Sequence, residues 1–238
     1  MFCARSPLCV LASIVIGSSV VHAQPPVEFG AYGGLTSSKP LTFGCIDLLL
    51  GDPCSPSTSE PHYSERGFTA GAYLRVPVHP VALLEMDLLY AQKGDNGGPN
   101  GTHTTDHYVE LPLLVEVDPI RAQSHARVFA LAGLSPAIRV ACTVTGPIFD
   151  NDTHMAVDYS GSCADLPAPL DKREPKLFDL GVVVGAGLGW ELPFGTVEIQ
   201  ARYTRGLVDT RDDDGGKTVN RTLFLMAGFG IAVGHRHQ

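Results

Sequence analysis

The sequence has little of what would place it in the commonest functional classes. Lys and Arg number 17 against 25 Asp and Glu, a net charge of −8. A nucleic-acid partner, which selects a basic surface, is therefore excluded. Beyond the first two dozen residues no apolar run reaches the roughly 20 residues of a membrane helix, so a hydropathy profile reads the rest of the chain as soluble. No G-x-S-x-G is present. No cysteine pair has the C-x-x-C spacing of a zinc or redox site. The glycines Gly185-Ala186-Gly187-Leu188-Gly189 reach Trp190 where a dinucleotide fingerprint needs a third spaced glycine opening a helix. The acidic stretches around Asp150 and Asp152 and over Asp212–Gly216 lack the alternating ligands and distal Glu of a calcium loop. His103 and His107 lie four apart at a loop-to-strand boundary rather than on a helix. No cofactor and no metal site is expected.

What is present begins with a leader. Arg5, the apolar run Leu8–Val21 and the small-x-small site Val21-His22-Ala23 read as a secretory signal peptide over 1–23. Residues 24–238 then form one domain. Cys9 has no lipoprotein processing box after it, so lipidation is not expected. Six cysteines fall to four once Cys3 and Cys9 leave. An exported chain meets an oxidising compartment. Of three possible connectivities the local one is expected, Cys45–Cys54 and Cys142–Cys163, each loop stabilising the fold by about 3 kcal/mol in the entropic account.

The dominant signal is a period of two, the mark of strands. In Phe178–Trp190 the even positions are apolar and the odd positions carry Asp179 and glycines. After a turn at Pro193-Phe194-Gly195, Val197, Ile199, Ala201 and Tyr203 alternate with Glu198, Gln200, Arg202 and Thr204. Six further segments behave alike: Val27–Leu35, Gly67–Val76, Val81–Lys93, Asp106–Val117, Arg127–Val140 and Asn220–Val233. Pro112 predicts a bulge or break in the fourth strand, and Pro136 an interruption in the fifth, because proline has no ladder donor.

One face of each strand is continuous and greasy; the other is small, polar or charged. A soluble barrel, such as a secreted lipocalin-like binding barrel, hides its greasy face inside. The continuous apolar face capped by aromatics suits a barrel whose outside is lipid. The inward set then includes Arg75, Glu85, Asp87, Glu110, Asp179, Glu198 and Arg202. In a lumen just wide enough for side chains, these charges are expected to pair as a plug. Connections after strands 1, 3, 5 and 7 are long and polar (36–66, 94–105, 141–176, 208–219); those after strands 2, 4 and 6 are short. The expected fold is therefore all-β, an eight-stranded antiparallel up-and-down transmembrane β-barrel with four long external loops.

Four stretches carry a family resemblance: Leu88-Leu89-Tyr90-Ala91-Gln92-Lys93-Gly94, Tyr108-Val109-Glu110-Leu111-Pro112-Leu113-Leu114, Phe178-Asp179-Leu180-Gly181 through Gly185-Ala186-Gly187, and Ala201-Arg202-Tyr203-Thr204-Arg205-Gly206-Leu207. Together they resemble the small outer-membrane β-barrel proteins, the porin-family or PorT-like group, akin in architecture to the OmpA and OmpX barrels. The chain departs from that pattern in ending on Gly234-His235-Arg236-His237-Gln238 instead of an aromatic. The resemblance implies a location in the cell outer membrane. It also implies contact with outer-membrane lipids and lipopolysaccharide, passage through periplasmic chaperones and the barrel-assembly machinery, and a monomer. It yields a location and a shape more than a function; the four long loops of the architecture lead to an expected structural or surface-interaction role without catalysis. The enzymatic alternative is a lipid-modifying barrel, but Ser124-His125 falls in a short turn at the wrong end for outer-leaflet chemistry.

Overall fold

The computed structural model of the protein describes residues 27–39, 41–44, 55–56, 63–96, 101–119, 125–150, 155–166, 176–209 and 216–233. Eight antiparallel strands form a closed ring. They are β1 (Val27–Ser38), β2 (Tyr63–His79), β3 (Ala82–Asn96), β4 (His103–Glu110, resuming as Leu113–Val117), β5 (Ala126–Asp150), β6 (Phe178–Leu192), β7 (Gly195–Gly206) and β8 (Arg221–Val233). Each strand pairs with its sequence neighbours, and β8 closes on β1 in register from Val27↔Val233 to Ser38↔Thr222. Closure leaves the ring no free edge, so every strand has a ladder partner on both sides. No described helix is long and apolar enough to cross a membrane.

The pleat fixes which face each residue takes. Val197, Ile199, Ala201, Tyr203 and Arg205 on β7 are exposed; Thr196, Glu198, Gln200, Arg202 and Thr204 between them are buried. The same phase holds on β8, where Leu223, Leu225, Phe229 and Ile231 are exposed, and on β3, where Leu84, Met86 and Leu88 are. An apolar outer wall around a polar interior is the reverse of a soluble barrel, which overturns the lipocalin-like alternative. The outward aromatics form two girdles: Phe29, Trp190, Phe194 and Phe229 near the short turns, and Phe68, Tyr90, Phe178 and Tyr203 near the long loops.

Strand β4 breaks at Leu111–Pro112, as its proline predicts. The ladder is bridged on both sides of the break: Leu111 N donates to Pro136 O at 2.9 Å, and Asp87 N to Pro112 O at 3.0 Å. In contrast to the expectation, β5 runs unbroken through Pro136. Leu111 lies opposite Pro136, so the N–H that Pro136 lacks falls on the ladder shared with the β4 break, and β5 keeps its other contacts.

The long connections hold more strand than their composition suggests. β3 reaches Asn96 and β4 begins at His103, so much of 94–105 is ladder. Strand β5 extends 25 residues, and its end, Thr143–Asp150, pairs with a returning strand, Met155–Ser162, as a ribbon standing beyond the ring. Cys142 and Cys163 form the expected disulfide at the base of this ribbon, Cα–Cα 5.4 Å. Leu41–Gly44 pairs with Gly216–Val219 and with Ser55–Pro56. Because Leu41↔Val219 continues the β1–β8 register, this small sheet is that ladder carried past the ring. Cys45 and Cys54, the leader 1–23, and the acidic residues Asp152 and Asp212–Asp214 lie outside the described residues.

Candidate functional site

The interior is organised by Arg75 of β2, which is 0 % exposed. Its guanidinium is bound from four strands. Nε donates to Glu85 Oε2 at 2.6 Å. Nη1 donates to Glu198 Oε2 at 2.6 Å and to Glu28 Oε1 at 3.1 Å. Nη2 donates to Glu198 Oε1 at 2.6 Å and to the Tyr32 hydroxyl at 2.5 Å. Glu116 Oε2 lies 3.1 Å from Nε. The Arg75–Glu198 contact is a two-pronged fork, the geometry that makes arginine the cation for buried pairs.

Two further arginines extend the network. Arg202 pairs with Glu85 and Asp87 and donates to Gln200 Oε1 at 2.8 Å. Arg127 pairs with Glu116 and with Asp118 Oδ2, the latter at 3.0 Å. Six carboxylates, Glu28, Glu85, Asp87, Glu116, Asp118 and Glu198, are thus joined through Arg75, Arg127 and Arg202 into one connected group. It fills the half of the lumen nearer the short turns.

Aromatic rings pack the spaces between the charges. Tyr32 and Tyr73 stack with centroids 4.4 Å apart. The Arg75 guanidinium lies 4.5 Å from the Tyr73 ring and 5.6 Å from that of Phe129. Arg202 lies 5.2 Å from the Tyr32 ring. Desolvated cation–π contacts of this kind contribute about 2 kcal/mol each. Glycines directly opposite on the neighbouring strands make the room. A Cβ at Gly187 would sit 2.3 Å from Phe129 Cζ, and one at Gly228 would sit 2.5 Å from the Tyr32 ring. The run Gly185–Gly189 is therefore lumen wall.

The half nearer the loops is more sparsely charged. Lys93 Nζ pairs with Glu110 at 2.8 Å and lies 4.8 Å from the Tyr108 ring. Ser135 Oγ donates to Glu110 Oε2 at 3.0 Å. Asn220 Nδ2 donates to Asp179 Oδ2 at 2.8 Å. Of the seven inward charges read from sequence, Arg75, Glu85, Asp87, Glu198 and Arg202 meet in one network, while Glu110 and Asp179 sit apart with other partners. The inward charge set read from sequence left out Glu28, Lys93, Glu116, Asp118 and Arg127, although the strand phase puts Glu116 and the Tyr73 ring on inward faces, and it gave no role to the inward rings of Tyr32 and Phe129. The two-residue phase of β4, carried one step to Asp118, and that of β5, begun at Arg127, would have found two of them.

The two histidines of interest do not converge. His107 Nδ1 is 2.5 Å from the Tyr90 hydroxyl on the outer wall, and His103 Nδ1 is 3.4 Å from Glu65. Among the described residues no group of His, Cys, Asp and Glu is placed to hold a metal ion. Chemically, each of the six carboxylates of the network lies within ion-pair distance of at least one guanidinium.

The chain resembles solved structures over nearly its whole length. OprG, an outer membrane protein from Pseudomonas aeruginosa, aligns with a TM-score of 0.52 at 11% identity, covering 90% of this chain and 99% of OprG. The outer membrane protein AlkL, solved in lipid bilayers, aligns with a TM-score of 0.50 at 10% identity, covering 94% and 98%. At such identity the likeness concerns the fold alone. No curated protein sequence matches the chain. The profile of the family described as "outer membrane protein beta-barrel domain" matches residues 22–212. With the ring closed, its outer wall apolar and four-fifths of its length matched, the chain belongs to the outer-membrane β-barrel protein family.

Proposed function

We propose that the protein is a non-conducting, non-enzymatic outer-membrane barrel that works as a monomer through its loop end, in a structural or surface-contact role. The observation that carries this reading is the Arg75 network. A guanidinium with no exposed surface, bound by carboxylates from β1, β3, β4 and β7, spans the lumen from wall to wall. Nothing hydrated passes such a plug without breaking several buried ion pairs. The interaction surface is then what stands beyond the ring: the disulfide-based ribbon and the small sheet joining the first and last loops. Lipopolysaccharide and other envelope surfaces are the expected contacts, with chaperones and the assembly machinery met on the way to the membrane.

The test is single-channel recording in planar bilayers. The protein is expected to give no steady conductance steps, and Arg75→Ala, which removes the hub, is expected to give them. Steady steps from the unaltered protein would overturn the reading.

A further inference from the structure

The loop-side half of the lumen leaves one carboxylate without a cation. Lys93 pairs with Glu110 at 2.8 Å, and Arg139 with Asp106 at 3.5 Å. Asp179 of β6 is 3 % exposed, and among the described residues no cation lies within ion-pair distance of it. Its Oδ2 accepts from Asn220 Nδ2 at 2.8 Å, while its Oδ1 is buried with no hydrogen-bond partner. Thr222 of β8, 1 % exposed, turns into the same lumen a hydroxyl that has no partner either. Buried polar atoms are nearly always partnered, and a buried carboxylate is the most costly to leave without a donor.

The ladder brings the two orphan oxygens to one place. Gly181 of β6 lies opposite Gly206 of β7, whose N donates to Asn220 O at 2.7 Å. Thr204, two residues before Gly206, lies opposite Thr222, two residues after Asn220. With no side chain at Gly206, Asp179 reaches from β6 across β7 to Asn220 beside β8. A Cβ at Gly206 would stand 3.4 Å from Asp179 Oδ1, so the unpartnered oxygen hangs over the glycine. Asn220 Nδ2 also lies 3.4 Å from the Tyr108 hydroxyl, which brings β4 from the opposite wall to the same spot. The turn-side ion-pair network closes the lumen below, and half-buried Asn220 marks the loop end above.

We propose that Asp179 and Thr222, beside Gly206, hold a small primary ammonium ion that enters from the loop end. An –NH3+ group brings a positive charge and three N–H donors on one atom, so it supplies the partner that each orphan oxygen lacks. The bond to the Asp179 carboxylate is charge-assisted and the stronger of the two. A divalent metal is a poor match: calcium and magnesium take six or more oxygen ligands, and no group of three His, Cys, Asp or Glu among the described residues could hold one. A quaternary ammonium has the charge but no N–H to give. The site goes beyond the reading of the barrel as plugged, since the network below it serves only as its floor.

The experiment is saturation-transfer NMR of the full chain, folded in neutral maltoside micelles and titrated with methylammonium chloride, folding being checked by the compact, heat-modifiable gel band. The methyl protons of methylammonium are expected to receive saturation from the protein, and those of tetramethylammonium are not. Asp179→Asn, which keeps the shape and removes the charge, is expected to weaken methylammonium binding by roughly tenfold or more, and Thr222→Val by roughly threefold. Should Asp179→Asn fail to give the compact band, Thr222→Val, a substitution of near-equal shape, still reports. No transfer to methylammonium, equal transfer to the two ions, displacement by potassium chloride at equal concentration, or unchanged affinity in every folded variant would overturn the site while leaving the plugged barrel in place. Steady conductance from the unaltered protein would instead overturn the plug and leave the expectation for methylammonium as it stands.

Discussion

On β7, Glu198, Gln200 and Arg202 point inward and are buried, while Val197, Ile199 and Ala201 between them point outward and are exposed. The two faces of one strand thus meet opposite solvents. The inward face is stabilised by ion pairs with strands far away in sequence, such as Arg75 to Glu198, 123 residues apart. The outward face has almost no specific contacts and relies on a surrounding apolar phase. The difference teaches where sensitivity lies. Inside, identity matters, because each charge has a named partner. Outside, only polarity matters, because lipid does not distinguish Leu from Ile or Val.

Substitutions that cross this divide give the largest effects. Arg75→Met should destabilise the barrel by about 3–5 kcal/mol, measured by urea unfolding from vesicles, because Glu85, Glu116 and Glu198 lose their shared cation while remaining buried. Next in size, Ile199→Arg or Val184→Arg puts a cation into lipid near the middle of the wall, at about 2–4 kcal/mol. The same cation one residue away, Gln200→Arg, should cost clearly less in the same assay, since Glu198 Oε1 lies 3.5 Å from Gln200 Nε2 and the network holds more carboxylates than guanidiniums. Equal costs at 199 and 200 would break the inner–outer distinction. The smallest effect is expected beyond the ring. Cys142→Ser with Cys163→Ser should cost barrel unfolding less than the ~3 kcal/mol of the entropic account, because the ribbon can open while the ladders of the ring stay paired, and limited proteolysis should gain a cut in the ribbon.

The strands and their phase were legible because lipid enforces alternation over ten or more residues, and a slip of one residue would turn the entire face over. Both proline signals in β4 and β5 were visible, but the continuity of β5 was not, since it depends on which neighbour loses the donor. The ribbon and the small sheet were missed for a different reason. Segments such as Lys217-Thr218-Val219 and Tyr159-Ser160-Gly161 stand above the membrane, where no apolar face is required, so their alternation carries no hydropathy signal. The lumen was half legible. Charges such as Glu198 and Arg202 stand out on an inward face, but Tyr32 and Phe129 read as unremarkable aromatics until the glycines directly opposite them on the paired strands, Gly228 and Gly187, are seen to make space for them. Pairing across the lumen, Arg75 to Glu198 or Glu116, depends on ring closure, which no local pattern encodes.

The central claim is that the apolar face of these strands is the outside and meets lipid. The chain has one tryptophan, and it lies on that face: Trp190, 53% exposed at the turn end of β6. Its fluorescence in vesicles of brominated phosphatidylcholine tests the claim without any substitution. The account predicts strong quenching, greater with bromines near the headgroup than at the acyl chain ends, and weak quenching by aqueous iodide. Quenching by iodide with none from brominated lipid at any depth would contradict it.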